Sequence, residues 1–463
     1  MRSASLILVL LLASAGAWSP AAVSAQTLSP FQRGVPSGSA TAEPIALTIV
    51  DAIQRALEHN LGLLLAEERA GHAGGTRWQS LSELLPTVSG RLSATREKVN
   101  LEAFGFPLPA GFPGVVGPFN VYDARLFVTQ SIFDVHALNT ARADSHSVAA
   151  ARHEIKNARD VVILVSGNAY SLSLAAAARV TAARAQLDTA QALHRQAVNL
   201  KQNGLVAGID VLRAEVQLET AKQRVTALDA EFEKAKLQLA RIIGLPIGQA
   251  FTLADGMRSV TFPDMTIDQA LERAYNSRGD YLAALERIRA AEANRRSAAG
   301  EGLPSVRVTA DYGDIGLSPS SAHESFNITG ALYVPIFQGG KTRGRVLEAD
   351  AELRSRRAEA EDLKAGIYYD VRTAFLDLQA GQELLQVATR ARELAADQLT
   401  QARDRFAAGV AGNIEVVQAQ EAVALAADQY ISALFTSNLA TGNLVRALGI
   451  ADEAARQLLG GVR

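Results

Sequence analysis

The sequence comprises 463 residues, with a formal net charge of −2 at pH 7 and no cysteine. The charge argues against a nucleic-acid partner, and the lack of cysteine excludes disulfides and thiolate metal sites. Aromatic residues make up only 6% of the chain and alanine is abundant, a composition that suits closely packed helices better than a globular enzyme.

Residues 1–25 are predicted to be a secretory signal. Arg2 provides the positive start, residues 6–13 form the apolar centre, and residues 23–25 form a small-residue cleavage site. Residues 26–44 are rich in Ser, Gly and Pro and are predicted to form a flexible leader.

Most of the chain beyond the leader consists of two copies of one sequence pattern. A Leu-Pro pair at 85–86 returns at 303–304, and an Ile-Phe pair at 132–133 returns at 336–337. Two copies of one pattern of helices and a hairpin indicate that the repeat is the unit of architecture. The predicted segments are a first repeat at 45–246, an equatorial linker at 247–265, a second repeat at 266–449 and a C-terminal tail at 450–463.

Each repeat predicts a long helical hairpin. Residues 134–200 contain no proline and fit one helix of about 100 Å, and the segment at 341–408 is equally long. Glycines mark the two turns, at Gly204 and Gly409. From Val211 onward, apolar or small residues recur at alternating spacings of three and four, which is typical of a coiled-coil seam.

One uncharged stretch, at 161–178, reaches the lower length limit of a transmembrane helix. Its counterpart in the second repeat contains Asp370, Arg372 and Asp377, which are not compatible with lipid. We therefore interpret the stretch as a buried part of a soluble helix.

Each repeat also predicts a β-hairpin, at 87–131 and at 305–336. Apolar and polar residues alternate over about ten positions per strand, the pattern of outer-membrane barrels. Four strands leave open edges that lipid does not tolerate, so subunits must share a barrel, with eight strands from two copies or twelve from three. The positions predicted to face lipid are Val308, Ile328, Leu332 and Leu126.

In these features the chain resembles the TolC-type outer-membrane efflux proteins over residues 45–450. The resemblance rests on the duplicated layout, the Leu-Pro and Ile-Phe pairs around each hairpin, and Asn-Gly-Leu-Val-Ala-Gly-Ile-Asp-Val-Leu-Arg-Ala-Glu at 203–215. It implies a mainly α, internally duplicated fold with membrane β-structure. Long antiparallel coiled-coil helices would form an α-barrel, and four strands per subunit would join a twelve-stranded β-barrel shared by a homotrimer.

The resemblance also implies partners and a location. The partners are a periplasmic adaptor (membrane fusion protein), an inner-membrane pump and outer-membrane lipid, with a large part of the chain in the periplasm. Two features depart from the family. The lipidated N-terminal cysteine of many pump-associated members is absent, and the first hairpin carries an insertion within 102–118 that is expected to be an elongated surface loop.

The two helix turns carry the first set of candidate site residues. Gly204 and Leu205 form one predicted tip, and Gly409 and Val410 form the other. Such tips meet the adaptor's helical hairpins in the family. Glycine at a helix end needs only backbone geometry, but an apolar residue after each glycine favours docking over a plain turn.

Asp210 and Glu415 are the second set, at equivalent positions six residues after each tip glycine. A carboxylate there complements a helix N-terminus without any pore. The family, however, has acidic rings at its periplasmic constriction, and Glu415 matches such a position, although Gln418 occupies a further acidic one. Glu415 is therefore predicted to line a cation-selective entrance, with Asp210 as a helix cap and nearby support.

No motif for catalysis is present, so we expect no enzyme, no cofactor and no metal site. The sequence favours a passive exit duct of the cell outer membrane, serving a tripartite efflux or type I secretion system. The alternative is a periplasmic coiled-coil adaptor or scaffold, which would have no reason for two lipid-facing hairpins.

Overall fold

The computed structural model describes residues 29–105, 111, 113–204, 206–260, 262–263, 265–408, 410 and 412–460. The predicted signal lies outside the described residues, as does part of the predicted insertion in the first hairpin.

The described chain is mainly helical, with two small sheets. The strands are β1 (Ile45–Leu47), β2 (Thr87–Asn100), β3 (Val115–Phe133), β4 (Phe251–Leu253), β5 (Ser305–Gly316) and β6 (His323–Tyr333). The helices are α1 (Ile49–His59), α2 (Leu61–Ser82), α3 (Val135–Gln202), α4 (Gly208–Ile242), α5 (Ile267–Ser277), α6 (Gly279–Gly300), α7 (Lys341–Ala407), α8 (Asn413–Ala447) and α9 (Ala451–Gly460).

Helices of closely matching length recur in the same order. The pair α1 and α5 has 11 residues each, α2 and α6 have 22, α3 and α7 have 68 and 67, and α4 and α8 have 35. The first helix of each series begins at a threonine, Thr48 or Thr266, that forms a capping box with Asp51 or Gln269. The box satisfies backbone N–H groups that the helix leaves without partners.

The larger sheet is antiparallel, with strand order β2-β3-β5-β6. Within the described residues its two outer strands, β2 and β6, each have one unpaired edge. The strands extend beyond the segments whose alternation the sequence shows. The β2–β3 register shifts at residues 97–99 of β2, and the β3–β5 register shifts at residues 131–133 of β3.

The long helices pack along the predicted seam. Ala214 is buried on α4, and Val416 and Ala419 are fully buried on α8, because small seam residues allow neighbouring backbones to approach closely. By length and composition alone, α3 is the one helix among the described residues that qualifies as a membrane span. Its apolar stretch instead contributes Val162 and Tyr170 to a protein core.

That core lies near the middle of α3, where the short helices meet it. We call this region the equator. The strands β1 and β4 pair in parallel there, so the linker predicted at 247–265 contains a strand. The Tyr170 hydroxyl donates to the Leu47 carbonyl and to Asp255 Oδ2, both at 2.8 Å. Burial, followed by the hydrogen bond and the charge of Asp255, raises the pKa of Tyr170. The buried tyrosine thus ties α3 to β1 and to the segment that follows β4.

Residues 33–37 of the leader are hydrogen-bonded to neighbouring helices and turns, although the composition of the leader predicts flexibility. The Gly34 amide donates a hydrogen bond to the Arg241 carbonyl at 2.6 Å, and the Val35 amide donates to the His59 carbonyl at 2.8 Å. A Cβ on Gly34 would lie 2.4 Å from the Gly244 nitrogen, so only glycine permits this approach. Backbone hydrogen bonds to distant residues fix this segment, and amino-acid composition does not reveal such bonds.

The C-terminal tail also gains structure, as α9. Its Ala451 and Ala455 are buried against Ile53 of α1 and Ile163 of α3. Asp160 of α3 is fully buried and accepts a hydrogen bond from the Asp452 amide at 2.9 Å. The tail therefore closes the equatorial core on the side of α1.

A buried guanidinium joins the start of α6 to α7. Arg278 lies 2.7 Å from Asp280 and 2.8 Å from Asp370. Burial alone would raise the pKa of Asp280, but the hydrogen bond and charge of Arg278, helped by Arg446, lower it below its usual range. The ion pairs fix the position of α7 relative to α6.

Candidate functional site: the helix turns and the sheet

Both helix turns lie at the same end of the molecule. Leu193 of α3, Ala402 of α7, and Val416 and Ala419 of α8 form one small buried cluster near the turns. Gln217 of α4 also donates a hydrogen bond to Glu421 of α8 at 2.9 Å. The two helical hairpins therefore present their tips side by side.

The first tip follows α3. Gly204 has a φ of 72°, a left-handed conformation that glycine adopts without strain, and its amide bonds the Lys201 carbonyl at 3.0 Å. The chain then enters α4 at Gly208. Leu205, the predicted docking residue, lies outside the described residues.

The second tip follows α7. Val410 is 69% exposed, and its amide bonds the Arg405 carbonyl at 3.1 Å. Gly409 lies outside the described residues. The second tip thus presents an exposed valine whose backbone is hydrogen-bonded to the last turn of α7.

Sequence reasoning missed two further apolar residues at the tips. Ile209 and Ile414, in the first turns of α4 and α8, are each 52% exposed. Their recurrence at the same offset as Asp210 and Glu415 was the signal available in the sequence. Each tip thus combines an exposed isoleucine with a neighbouring carboxylate.

Asp210 and Glu415 both lie in the first turn of a returning helix. Asp210 lies 3.5 Å from Arg213. Glu415 lies 3.4 Å from Arg405, in the last turn of α7, and both side chains are about half exposed. The Arg405 contact crosses the turn, so the sequence pattern alone did not predict it.

The sheet separates apolar from polar side chains. Its register places Leu126, Val308, Ile328 and Leu332 on one face, the four positions predicted to contact lipid. Leu126, Ile328 and Leu332 are more than half exposed. Contiguous exposed apolar surface of this kind marks an interaction site.

The opposite face is polar and is organised in rows. One row consists of threonine on all four strands, namely Thr87, Thr129, Thr309 and Thr329. Two rows along, Arg125 bonds Asp123 at 2.7 Å and Asp311 at 2.8 Å. The Arg125–Asp311 pair links β3 to β5, the strands at which the two hairpins meet.

Gly313 makes the Arg125 contacts sterically possible. It is the register partner of Arg125 on β5, and a Cβ there would lie 2.2 Å from the Ala124 carbonyl and 3.0 Å from Arg125 Cγ. Any larger residue would displace the arginine that joins the hairpins.

Among the described residues, no group of three or more His, Cys, Asp or Glu side chains is arranged to hold a metal ion. The arrangement that the structure does present is physical rather than catalytic. A two-faced sheet stands at the hairpin end of helices about 100 Å long, and the opposite helix ends carry exposed apolar tips.

This architecture defines a class of elongated membrane-channel proteins. The family model described as "Outer membrane efflux protein" matches residues 52–245 and 270–450, and the chain belongs to this family. The resemblance predicted from the sequence is thereby confirmed.

Curated relatives match most of the chain. The pyoverdine export outer membrane protein OpmQ of Pseudomonas putida is 24% identical over 445 residues, covering 94% of this chain and 91% of the relative. The alkaline protease secretion protein AprF of Pseudomonas aeruginosa is 22% identical over 363 residues, covering 74% of this chain and 72% of the relative.

Solved channels share the fold. The outer-membrane channel OprN aligns with a TM-score of 0.74 at 22% identity, covering 87% of this chain and 89% of OprN. The Campylobacter jejuni CmeC channel aligns with a TM-score of 0.74 at 18% identity, covering 87% of this chain and 85% of CmeC. The mainly helical fold with a four-stranded sheet is therefore that of TolC-like channels.

Proposed function

We propose that the chain is the outer-membrane exit duct of a tripartite efflux or type I secretion system. It acts as a passive homotrimeric channel that opens when an adaptor and an inner-membrane pump dock. The two curated relatives described above are named for pyoverdine export and for alkaline protease secretion, which supports a duct whose cargo is selected by the pump.

The four-stranded sheet carries this proposal. Its apolar face is exposed and both outer edges are unpaired within the described residues. Unpaired edges are not tolerated in lipid, and β2 and β6 run in opposite directions, so copies can pair edge to edge. Three copies close a twelve-stranded barrel with apolar side chains facing lipid and the threonine and arginine rows facing the lumen.

The helices support the same assembly. Tyr369, Leu376, Val387 and Leu394 are exposed on α7 at spacings that place them on one face. In a single chain this stripe meets water, whereas a second copy covers it. The helices then form a tunnel of about 100 Å, long enough to carry cargo through the periplasm.

The tips form the periplasmic end of the duct. Val410, Ile209 and Ile414 present exposed apolar surface for the helical hairpins of the adaptor. Glu415 lines the closed entrance three times in a trimer, and Asp210 caps the neighbouring helix. Docking separates the tips and opens the entrance.

The adaptor alternative is less well supported. A periplasmic scaffold accounts for long helices but leaves the apolar face of the sheet in water, at a cost proportional to its area. No feature of the described residues requires a periplasmic scaffold rather than a duct.

Membrane fractionation tests the proposal. We expect the protein in the outer-membrane fraction, soluble only with detergent, cross-linked as a trimer by an amine reagent, and conducting ions in planar bilayers. A protein that is soluble without detergent, or a monomer without conductance, would refute the exit duct.

A further inference from the structure

The face of the sheet that is predicted to contact lipid, called the outward face, carries an apolar band. The end of this band that lies toward the hairpin loops falls at different rows on the two hairpins. On β2 the outward residues are apolar or small from Val88 to Ala94, and Arg96 is the first charged one. Leu92, inside this band, shares its row with Ala124 of β3 and with Asp314 and Glu324 of the second hairpin. A single row is thus apolar on the first hairpin and charged on the second.

The charged residues above the band are poorly balanced in one chain. Asp314 and Glu324 are directly opposite each other on neighbouring strands, and like charges in that arrangement destabilise a sheet. Arg96 is exposed, and no described carboxylate forms an ion pair with it. The acidic pair lies at the β6 edge, and the arginine lies at the β2 edge.

A tilted barrel can give Arg96 a carboxylate partner and offset one of the two acidic charges. In the barrel proposed above, strand tilt staggers the rows between neighbouring copies. A stagger of four residues per copy, in the direction that moves β6 toward the C-terminal end of the neighbouring β2, brings Glu324 opposite Arg96 and aligns the ends of the two apolar bands. Four residues per copy correspond to a tilt of about 35° for twelve strands, inside the range of about 35–45° for outer-membrane barrels.

We propose that Glu324 on β6 of one copy pairs with Arg96 on β2 of the next, and that this ion pair sets the register of the subunit seam. The occupant of each edge is a second copy of this chain. The inference rests on the proposed shared barrel and adds to it the residues that align its copies.

Cysteine pairs test the register directly, since the chain contains no native cysteine. In the Arg96→Cys/Glu324→Cys variant we expect roughly half or more of the protein to become disulfide-linked between chains under oxidation, because paired Cβ atoms must approach about 4 Å. The matched control, Leu92→Cys/Glu324→Cys, represents a seam without stagger and should stay unlinked.

The outcomes separate the two proposals. Linkage of the control pair, or no linkage of either pair in an intact trimer, overturns the register. A wild-type chain that forms no trimer instead refutes the shared barrel itself.

A charge exchange provides a second measurement. Arg96→Glu should lower the temperature at which the trimer dissociates on a gel, and Arg96→Glu/Glu324→Arg should restore it. If a divalent cation rather than Arg96 neutralises the acidic pair, Arg96→Gln will leave that temperature unchanged while EDTA lowers it, and the proposed ion pair is then excluded.

Discussion

At the residue scale, burial decides how much an ion pair contributes. Arg278 is buried between Asp280 and Asp370, whereas Arg273 and Glu453 form a largely exposed pair at 3.0 Å. Removing one partner of a buried pair leaves an uncompensated charge, at a cost of about 3–5 kcal/mol. An exposed pair is worth about 0–1 kcal/mol.

We therefore expect Arg278→Met to destabilise the protein by about 3 kcal/mol, the lower end of that range, because Asp280 loses its nearest cation while Arg446 remains 4.0 Å away. Arg273→Met is the matched control and should cost about 1 kcal/mol or less. Thermal melts followed by circular dichroism in detergent measure both. Equal melting temperatures for the two variants would contradict a supporting role for Arg278.

The same pair predicts a pH dependence. Because Arg278 lowers the folded-state pKa of Asp280, its stabilising contribution is present above the unfolded pKa of about 3.9. It is lost as the pH falls through the lower folded value. The difference in melting temperature between wild type and Arg278→Met should shrink as the pH falls below about 4. A constant difference down to pH 2 would show that Asp280 is not the coupled group.

The two sheet faces give a further residue-scale prediction. Leu332→Arg places a charge on the proposed lipid face, at a cost of about 2–4 kcal/mol near the midplane, and should reduce the amount of trimer in the outer membrane. Thr329→Arg lies on the opposite face and should be tolerated. Quantitative immunoblots of outer-membrane fractions compare them. A lower yield for Thr329→Arg than for Leu332→Arg would mean that the inside and outside of the barrel are reversed, and equal yields would contradict the assignment of the two faces.

At the scale of elements, the sequence predicted those helices and strands whose buried faces follow from the local spacing of apolar residues. The alternating spacings from Val211 predicted a helix seam, and the alternation around Thr309 predicted a two-faced strand. The sequence did not predict α9 or the packed leader, because Ala451 and Gly34 are held by contacts with distant segments. For the same reason, the Arg405–Glu415 contact across a turn required the structure.

The tips belong to this scale, since each is formed where two helices meet. We expect Val410→Asp to reduce export to the level of a strain lacking the gene while trimer yield is unchanged, because a charge replaces an apolar contact that is 69% exposed. Leu205→Asp should act in the same way at the first tip. An export assay with the cognate pump, alongside trimer quantification, measures this effect.

The control for the tip variants is Ile247→Asp. Ile247 is 88% exposed but lies in the equatorial linker, so the substitution adds the same charge away from the tips and should leave export unchanged. Normal export in Val410→Asp would reduce the tip to a plain turn, and impaired export in both variants would point to a general effect of the added charge.

At the scale of the whole molecule, each residue near the threefold axis of the proposed trimer acts as a ring. One Glu415 carboxylate in the first turn of α8 complements a helix N-terminus, with an effect of about 0.3–1 kcal/mol. Three such carboxylates around one axis raise the local concentration of cations, and rings of this kind determine channel selectivity.

Single-channel recording of Glu415→Gln distinguishes a ring from a cap. If the ring forms, the variant should lose part of its cation preference, and block by a multivalent cation added on the periplasmic side should weaken about tenfold, equivalent to about 1.4 kcal/mol. Asp210→Asn, which removes the carboxylate beside Arg213 at the other tip, should change the block much less. Because both variants keep a hydrogen-bonding side chain in the first helical turn, their melting temperatures should remain close to that of wild type. Unchanged cation preference and unchanged block in Glu415→Gln would leave Glu415 as a helix cap, and an equal effect in both variants would place Asp210 in the ring as well.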